Sequence, residues 1–174
     1  MTKQDIFEKR AKCVFIAIGS NLGNKKFNIE FAKFNLETDK TKIVRSSSYY
    51  KSPSWPDHLK PMFINIVLEI RTILSPYELL NLCHDIESRL GRQRFAKNEP
   101  RICDIDIIDY DQQIIDPNKP ENLTLPHPRM EFRNFVLLPL FEISKNWKHP
   151  VKKVNIAKLI SFLKEDDLRT IKLI

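Results

Sequence analysis

The sequence predicts an α+β fold, in which an antiparallel sheet carries its helices on one face. Two observations support this fold class: strands with a two-residue apolar period alternate with two amphipathic helices, and the elements follow the order β-α-β-β-α-β. The 174 residues suffice for one domain with its own core. We expect that domain over residues 13–165, with a basic N-terminal tail at 1–12 and a C-terminal tail at 166–174.

The first strand and helix follow from an apolar run and an aromatic repeat. Val14–Ile18 is typical of a buried strand, and the turn residues after it lead into a helix over about residues 25–37. Phe27, Phe31 and Phe34 recur at i, i+4 and i+7, so we expect their rings to form one stripe in the core.

Two further strands surround a proline-rich loop. Residues 41–51 are rich in β-branched, Ser and Tyr side chains and predict a strand, whereas the three prolines of residues 52–61 exclude regular structure. Residues 62–72 then alternate, and one side of that strand is expected to face the core: Ile64, Ile66, Leu68 and Ile70. The other side, including Phe63 and Asn65, is expected to remain open.

A capping box marks the second helix. Ser75–Glu78 has Pro at the first helical position and Gly91 offers a stop, which predicts a helix over about 76–90. A strand over 102–110 follows, with a short returning strand at Ile114–Ile115. This order is that of the ferredoxin-like βαββαβ fold, with both helices on one face of the sheet.

A C-terminal extension follows the βαββαβ unit. We expect a helix at Phe132–Leu138 that Pro139 limits, and a closing helix over 155–164 with its apolar residues at helical spacing.

Charge and cysteine content restrict the function classes. The net charge of +7 favours anionic partners, which could be nucleic acid, a membrane surface or a phosphorylated small molecule. Three cysteines without CxxC spacing indicate neither a disulfide framework nor a zinc site, so we expect reduced, buried thiols and a cytoplasmic protein. No apolar run approaches the length of a membrane span.

Two aspartates are the main candidates for chemistry. Cys103, Ile105 and Ile107 should face the core, which turns Asp104 and Asp106 together onto the open side of the sheet. Two carboxylates about 7 Å apart gain from a shared cation, and hard oxygen ligands favour Mg²⁺ over zinc. The alternative is an exposed strand face that is acidic without binding a metal.

The basic segment before these aspartates suggests a polyphosphate ligand. Arg92, Arg94, Lys97 and Arg101 run directly into the Asp pair, and guanidinium groups can bind phosphate oxygens that Mg²⁺ leaves uncovered. The alternative is a solvated basic loop that pairs with its own aspartates. His127, clamped by two prolines, is a further candidate phosphate contact. Phe63 and Asn65 suit a flat heteroaromatic ring, since one offers a ring plane and the other an amide.

Several of these motifs, taken in order, resemble one enzyme family. The segments are residues 15–23 (FIAIGSNLG), 63–65 (FIN), 87–94 (ESRLGRQR), 100–106 (PRICDID), 125–128 (LPHP) and 133–135 (RNF). Together they resemble hydroxymethyl-dihydropterin pyrophosphokinase of folate biosynthesis. The resemblance covers about residues 14–143 and implies a ferredoxin-like fold.

The resemblance implies transfer of a diphosphate group from MgATP to the hydroxymethyl oxygen of 6-hydroxymethyl-7,8-dihydropterin, with release of AMP. The catalytic residues would be Arg92, Arg94, Asp104 and Asp106, and the two aspartates would hold two Mg²⁺ ions. The residues that border ATP would be His84, Glu87, Arg101, Ile107, Thr124, His127 and Arg133. The residues that line the pterin slot would be Ser52, Pro53, Trp55, Phe63, Asn65 and Phe135. We expect a monomer that binds neither nucleic acid nor membrane.

The chain departs from the family pattern before Pro100. Many members carry Trp-Gly there, whereas this chain has Asn98-Glu99, so we hypothesise weaker pterin binding than in Trp-bearing relatives. Two rival functions remain open. An RNA-recognition module would use the same fold but needs aromatic residues on its central strands. A regulator could bind ATP without turnover.

Overall fold

The computed structural model describes residues 3–55, 57, 59–92, 99–116 and 123–174. The strands are β1 Lys12–Ser20, β2 Thr41–Ser46, β3 Tyr50–Ser52, β4 Phe63–Thr72, β5 Asp104–Tyr110 and β6 Lys172–Leu173. The helices are α1 Lys3–Arg10, α2 Lys25–Leu36, α3 Pro76–Arg89, α4 Asn134–Ile143, α5 Ile156–Ile160 and α6 Glu165–Thr170, and a short 3-10 helix covers Met130–Phe132.

The strands form one antiparallel sheet in the order β5-β1-β4-β3-β6, with β2 paired to another part of β4. The mixture of helices and antiparallel strands is as predicted, and β1 to β5 follow the expected chain order. The strand expected over 41–51 is divided into β2 and β3, because Ser47 leaves the ladder: its amide donates to the carbonyl of Val67 and its hydroxyl accepts from the Val67 amide.

Helices α2 and α3 cover one face of the sheet and enclose the larger core. The capping box of α3 forms as predicted, with Ser75 accepting from the Glu78 amide and Glu78 accepting from the Ser75 amide. Gly91 follows this helix with a φ of +81°, a backbone conformation that residues with a side chain rarely adopt. The capping residues therefore fix both ends of the helix that carries Glu87 into the pocket described below.

The aromatic stripe of α2 is not in the core, so that prediction was wrong. Phe27 and Phe34 are 60% and 82% exposed, and the buried face of α2 instead carries Ile29, Ala32 and Leu36. Both sets recur at helical spacing but lie on opposite sides of the helix. The packing geometry of the sheet selects the aliphatic side.

The opposite face of the sheet is partly covered, contrary to the expectation that it is free. Phe15 and Val67 are buried there in a second core that α4 and α5 complete. The uncovered part lies where Gly19 is paired with Asn65 on one side and with Asp104 on the other. An RNA-recognition module would need the covered area for bases, so the structure disfavours that alternative.

The C-terminal extension differs from the prediction at Pro139. The helix expected to stop there runs to Ile143 with Pro139 inside it, because burial of Val136 and Leu140 on the sheet outweighs the missing backbone donor. The strand expected at Ile114–Ile115 is reduced to one bridge between Ile115 and Leu125.

The terminal segments contain regular structure. Helix α1 lies within residues 1–12, while the closing helix expected over 155–164 is the shorter α5. Residues 166–174 contribute most of α6 and all of β6. Cys83 and Cys103 are buried, Cys13 is half-buried, and all three thiols are free. None of the helices in the described ranges is both long and apolar enough to cross a membrane.

Candidate active site

A pocket of about 630 Å³ opens beside the uncovered part of the sheet. Every predicted site residue that the structure describes lines this pocket: Ser52, Pro53, Trp55, Phe63, Asn65, His84, Glu87, Arg92, Arg101, Asp104, Asp106, Ile107, Thr124, His127, Arg133 and Phe135. Arg94, Lys97 and Asn98 lie outside the described residues. Segments far apart in the chain therefore meet in one cavity.

Strand β5 presents the two aspartates to this pocket. Ile105 and Ile107 point into the larger core, so the alternation of the strand turns Asp104 and Asp106 to the opposite side, as predicted. Their side chains are 22% and 30% exposed. Both carboxylates are therefore accessible to a ligand in the pocket.

Asp104 is held by two arginines. Arg92 Nη1 lies 2.8 Å from Asp104 Oδ1, and Arg101 Nη1 lies 3.1 Å from Asp104 Oδ2. Arg92 also bridges to the carboxylate of Glu87, which is buried and accepts a 2.8 Å hydrogen bond from the amide of Ile105. The pairing of Arg101 and Arg92 with Asp104 matches the alternative of a basic segment that pairs with its own aspartates.

Asp106 has a separate set of partners. Arg133 Nη1 lies 2.8 Å from Asp106 Oδ2, and His127 Nε2 lies 3.7 Å from the same oxygen. His127 Nδ1 accepts the amide of Arg129 at 3.1 Å, which leaves the ring proton of neutral His127 on Nε2, facing Asp106. The backbone of His127 is fixed to β5 by its hydrogen bond to the carbonyl of Ile108.

Burial and neighbouring charges shift the pKa values of Asp104 and Asp106 in opposite directions. The pKa of Asp104 is raised, first by burial and then by the neighbouring Asp106. Burial acts in the same direction on Asp106, but His127, which is protonated only at low pH, and Arg133 outweigh it and lower the pKa of Asp106. Burial also lowers the pKa of His127 to about 4, so its imidazole is neutral near pH 7. Repulsion between the carboxylates gives a bound cation a strong electrostatic advantage at this position.

The donor set fits a hard divalent cation. Asp104 and Asp106 offer oxygen ligands only, and the described residues contain no cluster of three or more Asp, Glu, His or Cys that could enclose a metal. Mg²⁺ typically binds one or two carboxylates and completes its shell with water and phosphate oxygens. The pair therefore suits an ion that enters with a phosphate ligand.

Two buried arginine donors support an anionic ligand. Within the described ranges, Arg101 Nε and Arg133 Nε are buried and make no hydrogen bond. A buried donor without a partner costs free energy unless a ligand satisfies it. Both lie on the side chains that hold Asp104 and Asp106, so phosphate oxygens beside the aspartates could accept from them.

An aromatic slot lies next to the carboxylates. The Arg133 guanidinium lies 5.6 Å from the ring of Phe135 and 5.9 Å from the ring of Trp55, so one cation contacts two slot walls and Asp106. Asn65 is buried, and its amide nitrogen donates to Ser52 Oγ at 3.0 Å. The slot thus combines flat rings with an amide held in a fixed orientation.

Gly19 and Arg129 also line the pocket, although the sequence does not place them among the predicted site residues. Gly19 directly follows Val14–Ile18 and belongs to the residues expected to form a turn, but it lies within β1 and lacks the positive φ of Gly23. A Cβ on Gly19 would stand 3.0 Å from Asn65 Oδ1 and 3.3 Å from Phe63, so its role is close approach. Arg129 Cζ lies 5.9 Å from the Trp55 ring. Its position two residues after the proline-clamped His127 was the available signal.

Comparison with known sequences identifies one family. The family described as 7,8-dihydro-6-hydroxymethylpterin-pyrophosphokinase (HPPK) matches residues 15–145. The 2-amino-4-hydroxy-6-hydroxymethyldihydropteridine pyrophosphokinase of Methylorubrum extorquens is 38% identical over 132 residues, covering 75% of this chain and 81% of that protein. That of Haemophilus influenzae is 37% identical over 147 residues, covering 84% and 89%.

Longer proteins also match. The folic acid synthesis protein fol1 of Pneumocystis carinii is 35% identical over 92% of this chain, which spans only 21% of that protein. A crystal structure of HPPK-DHPS in complex with substrates has a TM-score of 0.71 at 14% identity, covering 94% of this chain and 46% of the other. At that identity the likeness concerns the fold alone. From the sequence matches, the chain belongs to the 7,8-dihydro-6-hydroxymethylpterin-pyrophosphokinase family.

Proposed function

We propose that this chain transfers a diphosphate group from MgATP to the hydroxymethyl oxygen of 6-hydroxymethyl-7,8-dihydropterin and releases AMP. The observation that carries the proposal is the placement of Asp104 and Asp106 between arginine side chains and an aromatic slot, all lining one pocket. Family membership supports the same reaction. The position of the acid pair fits a reaction in which a phosphate chain lies beside a flat ring.

The ATP side of the pocket combines carboxylates with arginines. Asp104 and Asp106 would hold two Mg²⁺ ions, whose chemistry is to neutralise phosphate oxygens and the charge that develops during transfer. Arg92, Arg101 and Arg133 balance the charge of those carboxylates. Once a cation takes over that balance, the guanidinium groups are available to phosphate oxygens, and Arg94 would join them.

The remaining residues of the ATP side border the nucleotide. We assign this role to His84, Glu87, Ile107, Thr124 and His127. Neutral His127 can donate one hydrogen bond from Nε2 and adds no positive charge near pH 7. The positive charge at the phosphates therefore comes from arginine, which does not lose its proton over the physiological pH range.

The pterin side orients the acceptor. Phe135 and Trp55 supply ring planes, with Phe63, Ser52 and Pro53 on the remaining walls. Asn65 would bind the heterocycle edge, since its amide is fixed by Ser52. The acceptor hydroxyl is supplied by the substrate, so the protein contributes positioning and charge stabilisation more than a strong base.

We further infer a ferredoxin-like arrangement, a monomeric catalytic unit and a cytoplasmic location. In the sheet, β2 and β3 both pair with β4, β4 pairs with β1, and β1 pairs with β5. This order supports the ferredoxin-like arrangement. Since one chain provides every described site residue, a second copy is not needed to complete the pocket. Three unpaired cysteines fit a reducing compartment.

The test is product identity. We expect purified protein with MgATP and the reduced hydroxymethylpterin to form AMP and the pterin diphosphate in equal amounts, and to form neither when one substrate is omitted. Formation of ADP would indicate single-phosphoryl transfer and contradict the proposal. ATP binding without any product would favour the regulator that binds ATP without turnover.

A further inference from the structure

The C-terminal segment 165–174 contacts residues next to both walls of the proposed pterin slot, from outside the pocket. It consists of α6 and β6, and it lies beyond residues 15–145, the part of the chain that matches the family. No residue of this segment is buried. Because it adds no buried side chain to either core, its contacts at the slot are its main structural contribution.

The first contact is at the edge of the sheet. Lys172 and Leu173 pair with Lys51 and Tyr50 of β3, and the amide of Ile174 donates to the carbonyl of Tyr49 at 3.0 Å. Strand β3 has three residues and pairs with β4 on one side. The pairing with β6 gives it a second neighbouring strand on the other side.

Strand β3 leads directly to the residues proposed to bind the pterin. Tyr50 pairs with Asn65 and Ser52 pairs with Phe63, and the Ser52 hydroxyl also holds the Asn65 amide. The loop that carries Pro53 and Trp55 starts where β3 ends. A displacement of β3 would therefore move one complete wall of the slot.

The second contact is at the start of α4. The side-chain amide of Asn134 donates to the carbonyl of Asp167, and its nitrogen lies 3.5 Å from Thr170 Oγ1. Asn134 stands between Arg133 and Phe135 but does not itself line the pocket. Helix α6 is thus attached to the backbone that presents the stacking ring and the guanidinium of the opposite wall.

We propose that residues 165–174 form a positioning segment that fixes the two walls of the pterin slot relative to each other. The inference rests on the proposed pterin reaction. Asp104, Asp106 and Glu87 lie on β5 and α3, which the segment does not pair with, whereas Arg133 of the ATP side adjoins the contact at Asn134. Loss of the segment should therefore weaken pterin binding more than ATP binding. Pre-organised walls lower the cost of ordering the site when the ring enters.

The experiment compares three variants with the full chain. One variant lacks residues 165–174, and a second, Asn134→Ala, loses only the α4 contact. The control is Arg169→Ala, which removes the exposed Glu165–Arg169 pair of α6 and leaves both contacts of the segment in place. For each, KM and kcat are measured for both substrates, with melting temperature and ATP affinity measured separately.

We expect deletion to raise the KM for the pterin about tenfold, and Asn134→Ala to raise it by a smaller factor in the same direction. The KM for ATP should change less than about twofold, and Arg169→Ala should match the full chain. An unchanged pterin KM after deletion, or parallel increases in both KM values with a lower melting temperature, would overturn the inference. An inactive full chain would instead overturn the proposed function on which the inference rests.

Discussion

Gly19 and Asn65 are paired across β1 and β4 so closely that a methyl group on Gly19 would stand 3.0 Å from Asn65 Oδ1. Gly19 is also paired with Asp104 on its other side. One residue without a side chain thus separates the amide proposed to read the pterin from a carboxylate proposed to hold metal.

We therefore expect Gly19→Ala to weaken pterin binding at least about fivefold, because the added methyl displaces Asn65 and Phe63, and overpacking typically costs about 1–3 kcal/mol. Titration of the pterin with a non-hydrolysable ATP analogue present measures this. Gly23→Ala is the control: its Cβ would meet no atom closer than 4.0 Å, but its φ of +62° makes it costly for stability. Equal pterin affinity for Gly19→Ala and the unmodified chain would contradict the expectation.

Replacing either aspartate by Asn should abolish most turnover. Asp104→Asn or Asp106→Asn keeps the side-chain shape but removes a charged metal ligand, and we expect AMP formation to fall at least about a hundredfold. The melting temperature should change by less than about 4 °C, since relief of the repulsion between the two partly exposed carboxylates offsets the lost pairing with arginine. Asp111→Asn, beyond the end of β5 and paired with Lys12, is the matched control. Near-normal activity of either active-site variant would exclude the metal role.

The aspartate prediction was accessible from sequence because strand alternation is a local property. Cys103, Ile105 and Ile107 are apolar, and a two-residue period then determines where Asp104 and Asp106 point. The partners of the aspartates were less accessible. Arg133 reaches Asp106 from 27 positions away in the chain, and no local rule specifies such a contact.

The errors in α2 and α4 have a related cause. In α2, Phe34 and Leu36 both belong to stripes with helical spacing, and only the position of the sheet determines which stripe is buried. In α4, the local preference of Pro139 to end a helix competes with burial of the flanking apolar residues in the second core. Tertiary packing prevails in both helices, and single-sequence patterns do not contain it.

Arg92→Ala should reduce kcat more than it raises the KM for ATP. The Arg92 guanidinium pairs with Glu87 and Asp104, so its contact with phosphate requires those pairings to exchange. An interaction gained only in the transition state appears in kcat, and we expect a loss of about a hundredfold. Arg89→Ala, at the last residue of α3 and three positions before Arg92, provides a control, since its side chain is directed to Asn35. If kcat falls and the KM for ATP rises by equal factors, Arg92 already contributes to ATP binding in the ground state.

His149 should make the fold sensitive to acid independently of the active site. Burial lowers the pKa of His149, and its Nδ1 accepts the amides of Val151 and Lys152, each at 3.2 Å. A folded-state pKa below the unfolded value means that stability is present above about pH 6.5 and is lost as pH falls. Nearby Glu131 opposes this effect, whereas Lys152 adds to it.

Denaturant unfolding from pH 8 to pH 5 tests this expectation. His149→Gln keeps a hydrogen-bond acceptor but does not titrate. We expect its free energy of unfolding to depend less steeply on pH than that of the unmodified protein, with slopes that differ by at most about 1.4 kcal/mol per pH unit. Because both proteins retain His127, the difference between them isolates His149. Parallel curves for the two proteins would show that protonation of His149 does not contribute.

Trp55 should report pterin binding by its fluorescence. It is 38% exposed in the pocket, whereas Trp147, the chain's other tryptophan, is 5% exposed and donates from Nε1 to Asp109. Since the chain lacks the Trp-Gly that many family members carry before Pro100, Trp55 is the indole available to the ring. With an ATP analogue bound, we expect added pterin to change the emission of the unmodified protein.

The two substitutions at Trp55 separate its optical role from its binding role. Trp55→Phe should lose the emission change while retaining most affinity, since a flat ring remains. Trp55→Ala should bind the pterin about tenfold more weakly, because an aromatic contact contributes about 0.5–1.5 kcal/mol beyond area burial. Phe162→Ala removes an exposed aromatic ring outside the pocket and serves as the control. If Trp55→Ala binds the pterin as tightly as the unmodified chain, the ring does not stack on Trp55, and Phe135 carries the stacking alone.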